Sequence, residues 1–272
     1  MILIVSELYY IHRAKIHNWT SAKNQRTDGH PVAVVGGGFI FYLAIVLWSL
    51  GAGWIYDPSE AMSALMVGST MLAACSFADD ILQLKIWIRL VVQFIAIAFL
   101  CFQLPSIDIG IGIWIFYVIA AVGFVNAYNF MDGINGITGG YSLVVLGTLA
   151  IVNHKLNFID MNLIVILMVS LVIFCFFNFR KTARCFAGDV GAVTIAFAVV
   201  FMIFSLIVKT ENVLWIMLLV VYGVDTVLTI LHRLMLKENI FKPHRKHAFQ
   251  LMANELKIPH TAVTSIYMAI QA

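Results

Sequence analysis

The chain has 272 residues, 62% of them hydrophobic and 11% charged, with a formal net charge of +3. Soluble domains carry about a quarter charged residues, so this composition excludes a water-soluble globule and predicts an all-α, polytopic membrane protein folded as one domain over 1–272. The 4 cysteines, Cys75, Cys101, Cys175 and Cys185, have no CxxC spacing, so neither a disulfide frame nor a zinc site is indicated.

Apolar segments run in chain order over 1–11, 32–50, 61–78, 86–104, 111–130, 140–152, 163–179, 190–208, 213–236 and 261 to the end. A crossing helix needs about 20 residues. The middle segments qualify or nearly do, and the two terminal ones are short. The reading is about ten transmembrane helices, the first and last short or truncated. Segment 140–152 is also short and has glycines through which it can extend backward. No cleavable signal peptide is evident, because 1–11 is too short and lacks a basic start.

Lysine and arginine set the orientation. With the loop before the second segment on the cytoplasmic side, alternation places all 17 Lys and Arg there except Lys155 and Lys209. The polar clusters fall on the same side, which argues for one shared site.

The first cluster, KNQRTDGHPVAVVGGG at 23–38, sets Lys23, Arg26 and His30 ahead of Gly36, Gly37 and Gly38. Its basic groups suit a phosphate, or plain retention of the loop in the cytoplasm, which is favoured for Lys23. The glycines permit close helix packing or close approach of a ligand. The third segment ends in Asp79 and Asp80, which point about 100° apart on a helix and so serve different tasks. Acids at a helix C-terminus oppose the macrodipole. This pair therefore calls for a metal ion or a basic partner, or else is simply solvated at the interface.

NAYNFMDGINGITGG at 126–140 places Asn126, Asn129 and Asp132 at steps of three. Each step drifts about 60° around a helix. Gly133 and Gly136 then break the helix and let backbone approach a ligand; the plain alternative is a capped helix end with a glycine turn. Asp189 opens the eighth segment between Gly188 and Gly191, where the helix dipole keeps a carboxylate ionised and free N–H groups suit phosphate. Mg²⁺ takes one or two carboxylates and completes its shell with water and phosphate oxygens, which suits Asp189. An ordinary N-cap is the alternative.

In the ninth segment Asp225, Thr229 and His232 share a face beside Arg233. An intramembrane acid is a functional candidate, and an Asp held by Thr229 or Arg233 is the alternative. KPHRKHAFQ follows, in which His244, Arg245, Lys246 and His247 suit a diphosphate clamp, with histidine available for proton transfer. A basic patch on the membrane surface is its competitor.

Asp79-Asp80, NAYNFMDG from Asn126, AGDVG around Asp189 and PHRKHAFQ from Pro243, in this order, resemble the polyprenyl-phosphate N-acetylhexosamine-1-phosphate transferase superfamily, glycosyltransferase family 4. The resemblance covers nearly the whole chain. NFMDGING and PHRKHAFQ are most similar to the branch that transfers N-acetylfucosamine or N-acetylquinovosamine phosphate in O-antigen assembly. It implies that the phosphate of a polyprenyl carrier attacks the β-phosphorus of a UDP-N-acetylhexosamine and releases UMP, starting a surface polysaccharide or cell-wall glycan.

The same resemblance implies Asp79, Asp80, Asp132 and His247 as catalytic residues. Asn126, Asn129, Asn135, His244, Arg245, Lys246 and His30 would bind substrate, and Asp189 would hold Mg²⁺, with Mn²⁺ as a substitute. The expected setting is the inner (plasma) membrane with a cytoplasmic active site and the carrier tail in the bilayer; a homodimer is compatible with it, and no nucleic acid is involved. Two departures stand out: many members have Asp where this chain has Asn135, and Thr-Pro-Arg where it has Ala33, Val34 and Val35. The competing readings are an inactive paralogue that binds the lipid carrier and a secondary transporter that uses Asp225 near mid-bilayer.

Overall fold

A computed structural model describes residues 1–20, 33–55, 60–82, 84–103, 111–240 and 244–272, with the backbone alone described at 52–55, 60, 61, 80, 81, 103, 111 and 113. Its helices are α1 (Ile2–Ile16), α2 (Phe39–Ile55), α3 (Glu60–Leu82), α4 (Ile86–Gln103), α5 (Ile111–Met131), α6 (Ile137–Leu156), α7 (Met161–Asn178), α8 (Gly188–Thr210), α9 (Val220–Met235), α10 (Ala248–Asn254) and α11 (His260–Gln271). Each apolar segment of the sequence contains one of these helices, and α10 is added in the loop that follows α9.

Among the described residues, 6 stretches are long and apolar enough to cross a membrane: Met62–Asp79, Trp114–Met131, Ile137–Leu156, Met161–Asn178, Gly188–Thr210 and Val213–Met235. Shorter apolar helices lie at Phe39–Gly51 and Ile86–Phe102. The protein is a polytopic helical membrane protein. The terminal helices, at 15 and 12 residues, are too short to count with the six.

The bundle is built around α8. Its sequence is apolar on every side, as a helix surrounded by others requires, and every residue from Val190 to Ile207 is buried. Side chains from α2, α3 and α5 cover it. On the α9 side, Tyr128 of α5, Tyr141 of α6 and Tyr222 of α9 form one aromatic block, with Tyr141 and Tyr222 stacked at 3.7 Å between ring centroids. The Tyr222 hydroxyl donates to the Ile137 carbonyl at 2.9 Å, tying α9 to the first turn of α6.

Two elements begin later than apolarity alone suggests. The segment before α2 is extended rather than helical. Val34 N–H donates to Arg184 O (3.2 Å), Phe186 N–H to Val34 O (2.7 Å), Gly37 N–H to Phe186 O (2.9 Å) and Gly38 N–H to Ala187 O (3.1 Å). This pairing lashes the approach to α2 onto the approach to α8, and Gly36 makes the bend with a φ of +86°. A run of 3-10 helix, Val213–Leu219, likewise precedes α9, where the sequence suggested one continuous helix.

The glycine triplet is therefore a packing device. A Cβ on Gly38 would lie 2.4 Å from the Gly191 Cα, and one on Gly191 would lie 2.4 Å from the Gly38 Cα. Backbone meets backbone there, so no side chain can yield. Gly191→Ala is expected to cost on the order of 3 kcal/mol, read as a lower unfolding midpoint in detergent, whereas Gly147→Ala, whose Cβ meets nothing within 4 Å, should not lower the midpoint.

Candidate functional site

One end of the bundle gathers the last turns of α3 and α5 with the first turns of α4, α6 and α8. Asp79 lies in the last turn of α3, where the dipole disfavours a carboxylate. Its compensating cation is Arg89, from the first turn of α4: Arg89 Nη1 lies 2.8 Å from Asp79 Oδ2. The second prong of the same guanidinium, Nη2, lies 2.9 Å from Asp189 Oδ2. Arg89 thus bridges two carboxylates delivered by two other helices.

Asn129 completes this group. With its amide oriented to suit both neighbours, Nδ2 donates to Asp189 Oδ1 at 3.2 Å and Oδ1 accepts from Arg89 Nη2 at 2.9 Å. The three-residue fan of α5 reaches three neighbouring helices, α4, α8 and α6. Asn126 Nδ2 donates to Gln93 Oε1 of α4 at 2.7 Å and to the Val122 carbonyl. Asn129 turns to Asp189 and Arg89, and Asp132 turns to α6, accepting from the Thr138 hydroxyl at 2.7 Å.

Asp189 is not a helix cap. Ala187 occupies that position without a side-chain bond, and Asp189 stands inside the first turn of α8. The side chains of Arg89, Asp79 and Asp189 are 25%, 13% and 31% exposed, so a solute can reach them. Arg89 spans Asp79 and Asp189, and one or two carboxylates are what Mg²⁺ takes from protein, so these two are the residues that would hold that ion.

The turn between α5 and α6 is fixed from behind. Gly136 has a φ of +87°, and a Cβ there would meet the Phe179 ring at 2.4 Å. Its N–H donates to Asn178 Oδ1, and Asn178 Nδ2 donates to the Cys185 carbonyl, both at 2.7 Å. Asn135, expected to bind substrate, is buried; its Nδ2 donates to the Arg180 carbonyl at 2.9 Å, and its own carbonyl accepts from Thr264 Oγ1 at 2.9 Å.

The basic loop folds back over the end of α5. A Cβ on Gly133 would lie 2.8 Å from Phe249 Cε2, which places the start of α10 against the NFMDG turn. His247 is buried and its ring centroid is 6.4 Å from that of Phe130. Arg233 is buried too, and it bonds Glu238 Oε2 and the Asn239 and Ile240 carbonyls, pinning the chain beyond α9. Lys246 pairs with Glu238. Arg245 is exposed, as is His232 of α9.

The loop carries less positive charge than its sequence suggests. Burial, aided by the Arg233 charge, pushes the His244 imidazole down to about 4 from the ordinary 6.5. His244 is therefore neutral at pH 7. Because the folded value lies below the unfolded one, stability held above pH 6.5 should be lost as pH falls toward 4. His244→Gln is expected to flatten that part of the midpoint-against-pH curve, read by thermal unfolding between pH 7.5 and pH 4.5.

Sequence reasoning missed Arg89 and Asn178. Arg89 is a charged residue inside an apolar helix, and that alone marks it as a candidate; Asn178 gave no sequence signal. His30, Lys23, Arg26 and Lys242 lie outside the described residues, as does the side chain of Asp80. Asp79, Asn129 and Asp189 meet through Arg89, Asp132 lies three residues beyond Asn129 at the end of α5, and His247 packs near Phe130 between them.

These features define a class: a polytopic membrane protein with an acid, amide and guanidinium cluster at one end of its bundle. The sequence profile described as glycosyl transferase family 4 matches residues 62–209, more than half of the chain, and the chain belongs to that family. It is 27% identical over 233 residues to the "Probable undecaprenyl-phosphate N-acetylglucosaminyl 1-phosphate transferase" of Bacillus subtilis (strain 168), covering 78% of this chain and 63% of that one. It is 26% identical over 195 residues to the phospho-N-acetylmuramoyl-pentapeptide-transferase of Lactiplantibacillus plantarum, covering 63% of this chain and 60% of that one. Against the enzyme of the same name from Latilactobacillus sakei it is 26% identical over 257 residues, covering 86% and 75%. The chain therefore spans 63% and 60% of the length of the first two relatives.

Proposed function

We propose that this protein transfers an N-acetylhexosamine 1-phosphate from a UDP-sugar to a polyprenyl phosphate and releases UMP. The observation that carries the reading is the meeting of Asp79, Asn129 and Asp189 on Arg89 at one bundle end, in a family whose relatives are named for such transfers. An oxygen of the carrier phosphate forms a bond to the β-phosphorus, the bond from that phosphorus to the oxygen shared with the α-phosphorus breaks, and the electron pair leaves with UMP. Both reactants are anions, so charge repulsion and positioning make up much of the barrier.

This chain's residues address both. Arg89 and exposed Arg245 bring positive charge to the phosphates, and Asn129 offers an amide beside them. Asp189, with Asp79, would hold Mg²⁺, which when bound supplies the charge that draws two phosphates together. Asp132, steadied by Thr138, borders the nucleotide-sugar side. His247 stands over the same turn. The cytoplasmic placement rests on the lysine and arginine bias, and the carrier tail lies in the bilayer.

The test is exchange. Reconstituted protein should incorporate labelled UMP into UDP-N-acetyl sugars only when undecaprenyl phosphate and Mg²⁺ are both present. A panel of UDP-N-acetylglucosamine, UDP-N-acetylfucosamine and UDP-N-acetylquinovosamine then identifies the sugar. Folded protein that exchanges none of them would remove the transferase reading in favour of a carrier-binding paralogue.

A further inference from the structure

Asp225 is a buried carboxylate of α9 that the proposed reaction leaves unassigned. Its Oδ1 accepts from the Ala248 N–H at 3.0 Å and the Thr229 hydroxyl at 3.2 Å, and lies 3.2 Å from His247 Nδ1. Its Oδ2 accepts from the Tyr267 hydroxyl at 2.6 Å. Three elements, α9, the start of α10 and α11, thus converge on one carboxylate. An ionised carboxylate only accepts, so the ring nitrogen facing it must carry the proton.

The other edge of that ring is unusual. His247 is 2% exposed, and its Nε2 is buried with no hydrogen-bond partner among the described residues. A buried polar atom without a partner is costly and calls for an explanation. Among the described residues nothing supplies one, and the neighbouring rings are Phe130, His244 and Phe249. Phe130 belongs to the NFMDG turn, between Asn129 and Asp132.

We propose that Asp225 is a positioning residue of the transfer site, holding His247 with Nδ1 protonated so that Nε2 is presented bare to a hydroxyl of the bound sugar or to a protonated phosphate oxygen. This rests on the transferase reading. It explains why an acid is kept inside the bundle: its place is taken by one ring, one backbone N–H and two hydroxyls, and its effect is exerted through His247. Asp225 itself touches no substrate.

A double-mutant cycle tests it. Asp225→Ala and His247→Gln are each expected to lower kcat for UMP exchange by on the order of 10²-fold, with KM for the UDP-sugar changing less than threefold. The combined variant should be no slower than His247→Gln alone, because one acts through the other. Asp225→Asn, whose amide oxygen still accepts from Ala248, should fall between Asp225→Ala and the wild type. Multiplied losses in the double variant would overturn the proposal by showing that Asp225 serves the fold at large.

A second measurement needs no turnover. Nitrogen NMR of ring-labelled histidine, with the His247 signals assigned by their loss in His247→Gln, should show Nδ1 protonated and Nε2 unprotonated. In Asp225→Ala the two tautomers should mix. A protonated Nε2 in the neutral wild-type ring would overturn the proposal even if exchange is absent, while absent exchange with the expected tautomer counts against the transferase reading and not against the pairing.

Discussion

Asp189→Asn is expected to lower UMP exchange by on the order of 10³-fold, more than any other single change in the bundle. The substitution keeps the shape and one acceptor, so Arg89 and Asn129 can still bond to it, but it removes the charge that a divalent cation needs. Little stability should go with it. The side chain is 31% exposed and its ion pair stands at an accessible surface, where pairs contribute about 1 kcal/mol or less. Exchange and the unfolding midpoint measured on the same preparation separate the two effects. Loss of less than tenfold, with the midpoint intact, would take Asp189 out of the cation's coordination.

The next largest effect is expected at Arg89. Arg89→Met keeps much of the side-chain bulk while leaving Asp79 and Asp189 facing one space with no cation between them. Like charges at short range disfavour each other, so the folded state should be destabilised and exchange should fall by about 10²-fold. The distinguishing readout is the response to metal. A ligand that binds only the folded state raises stability in proportion to its occupancy, and in Arg89→Met the cation no longer competes with a guanidinium. Millimolar Mg²⁺ should therefore raise the midpoint of Arg89→Met more than that of the wild type. Equal shifts in the two proteins would mean that Mg²⁺ does not enter between these carboxylates.

Much of the helical scaffold is legible in the sequence because lipid imposes a simple rule: long apolar runs must form closed backbone hydrogen bonds. Even the breaks at Gly133 and Gly136 follow from local chemistry. What escapes a linear reading is whatever depends on distant segments meeting. The start of α2 at Phe39 is set by extended pairing with 184–187, some 150 positions away, which no local propensity reveals. Arg89 stands 10 residues beyond Asp79 on the next helix, and its second partner, Asp189, comes from α8.

The pairing of Asp225 with His247 is hidden for the same reason. In sequence, Asp225 shares a helical face with Thr229 and His232, and the structure keeps only the first of these neighbours. His232 points outward, and a histidine 22 residues away takes its place after the chain doubles back. Residue types and spacing on one helix indicate which groups are chemically capable. Which of them meet is decided by loops whose course rests on a few contacts, such as the grip of Arg233 on residues 238–240.

Having no face turned to lipid, α8 behaves as a fixed post. It cannot roll or slide without dislodging α2, α3 and α5 together, and the glycine contact at its foot leaves no slack for tilting. Asp189 is thus an anchored reference point, and arriving and departing reactants must be accommodated by the periphery. Probes placed along α8 should report one environment throughout a turnover cycle.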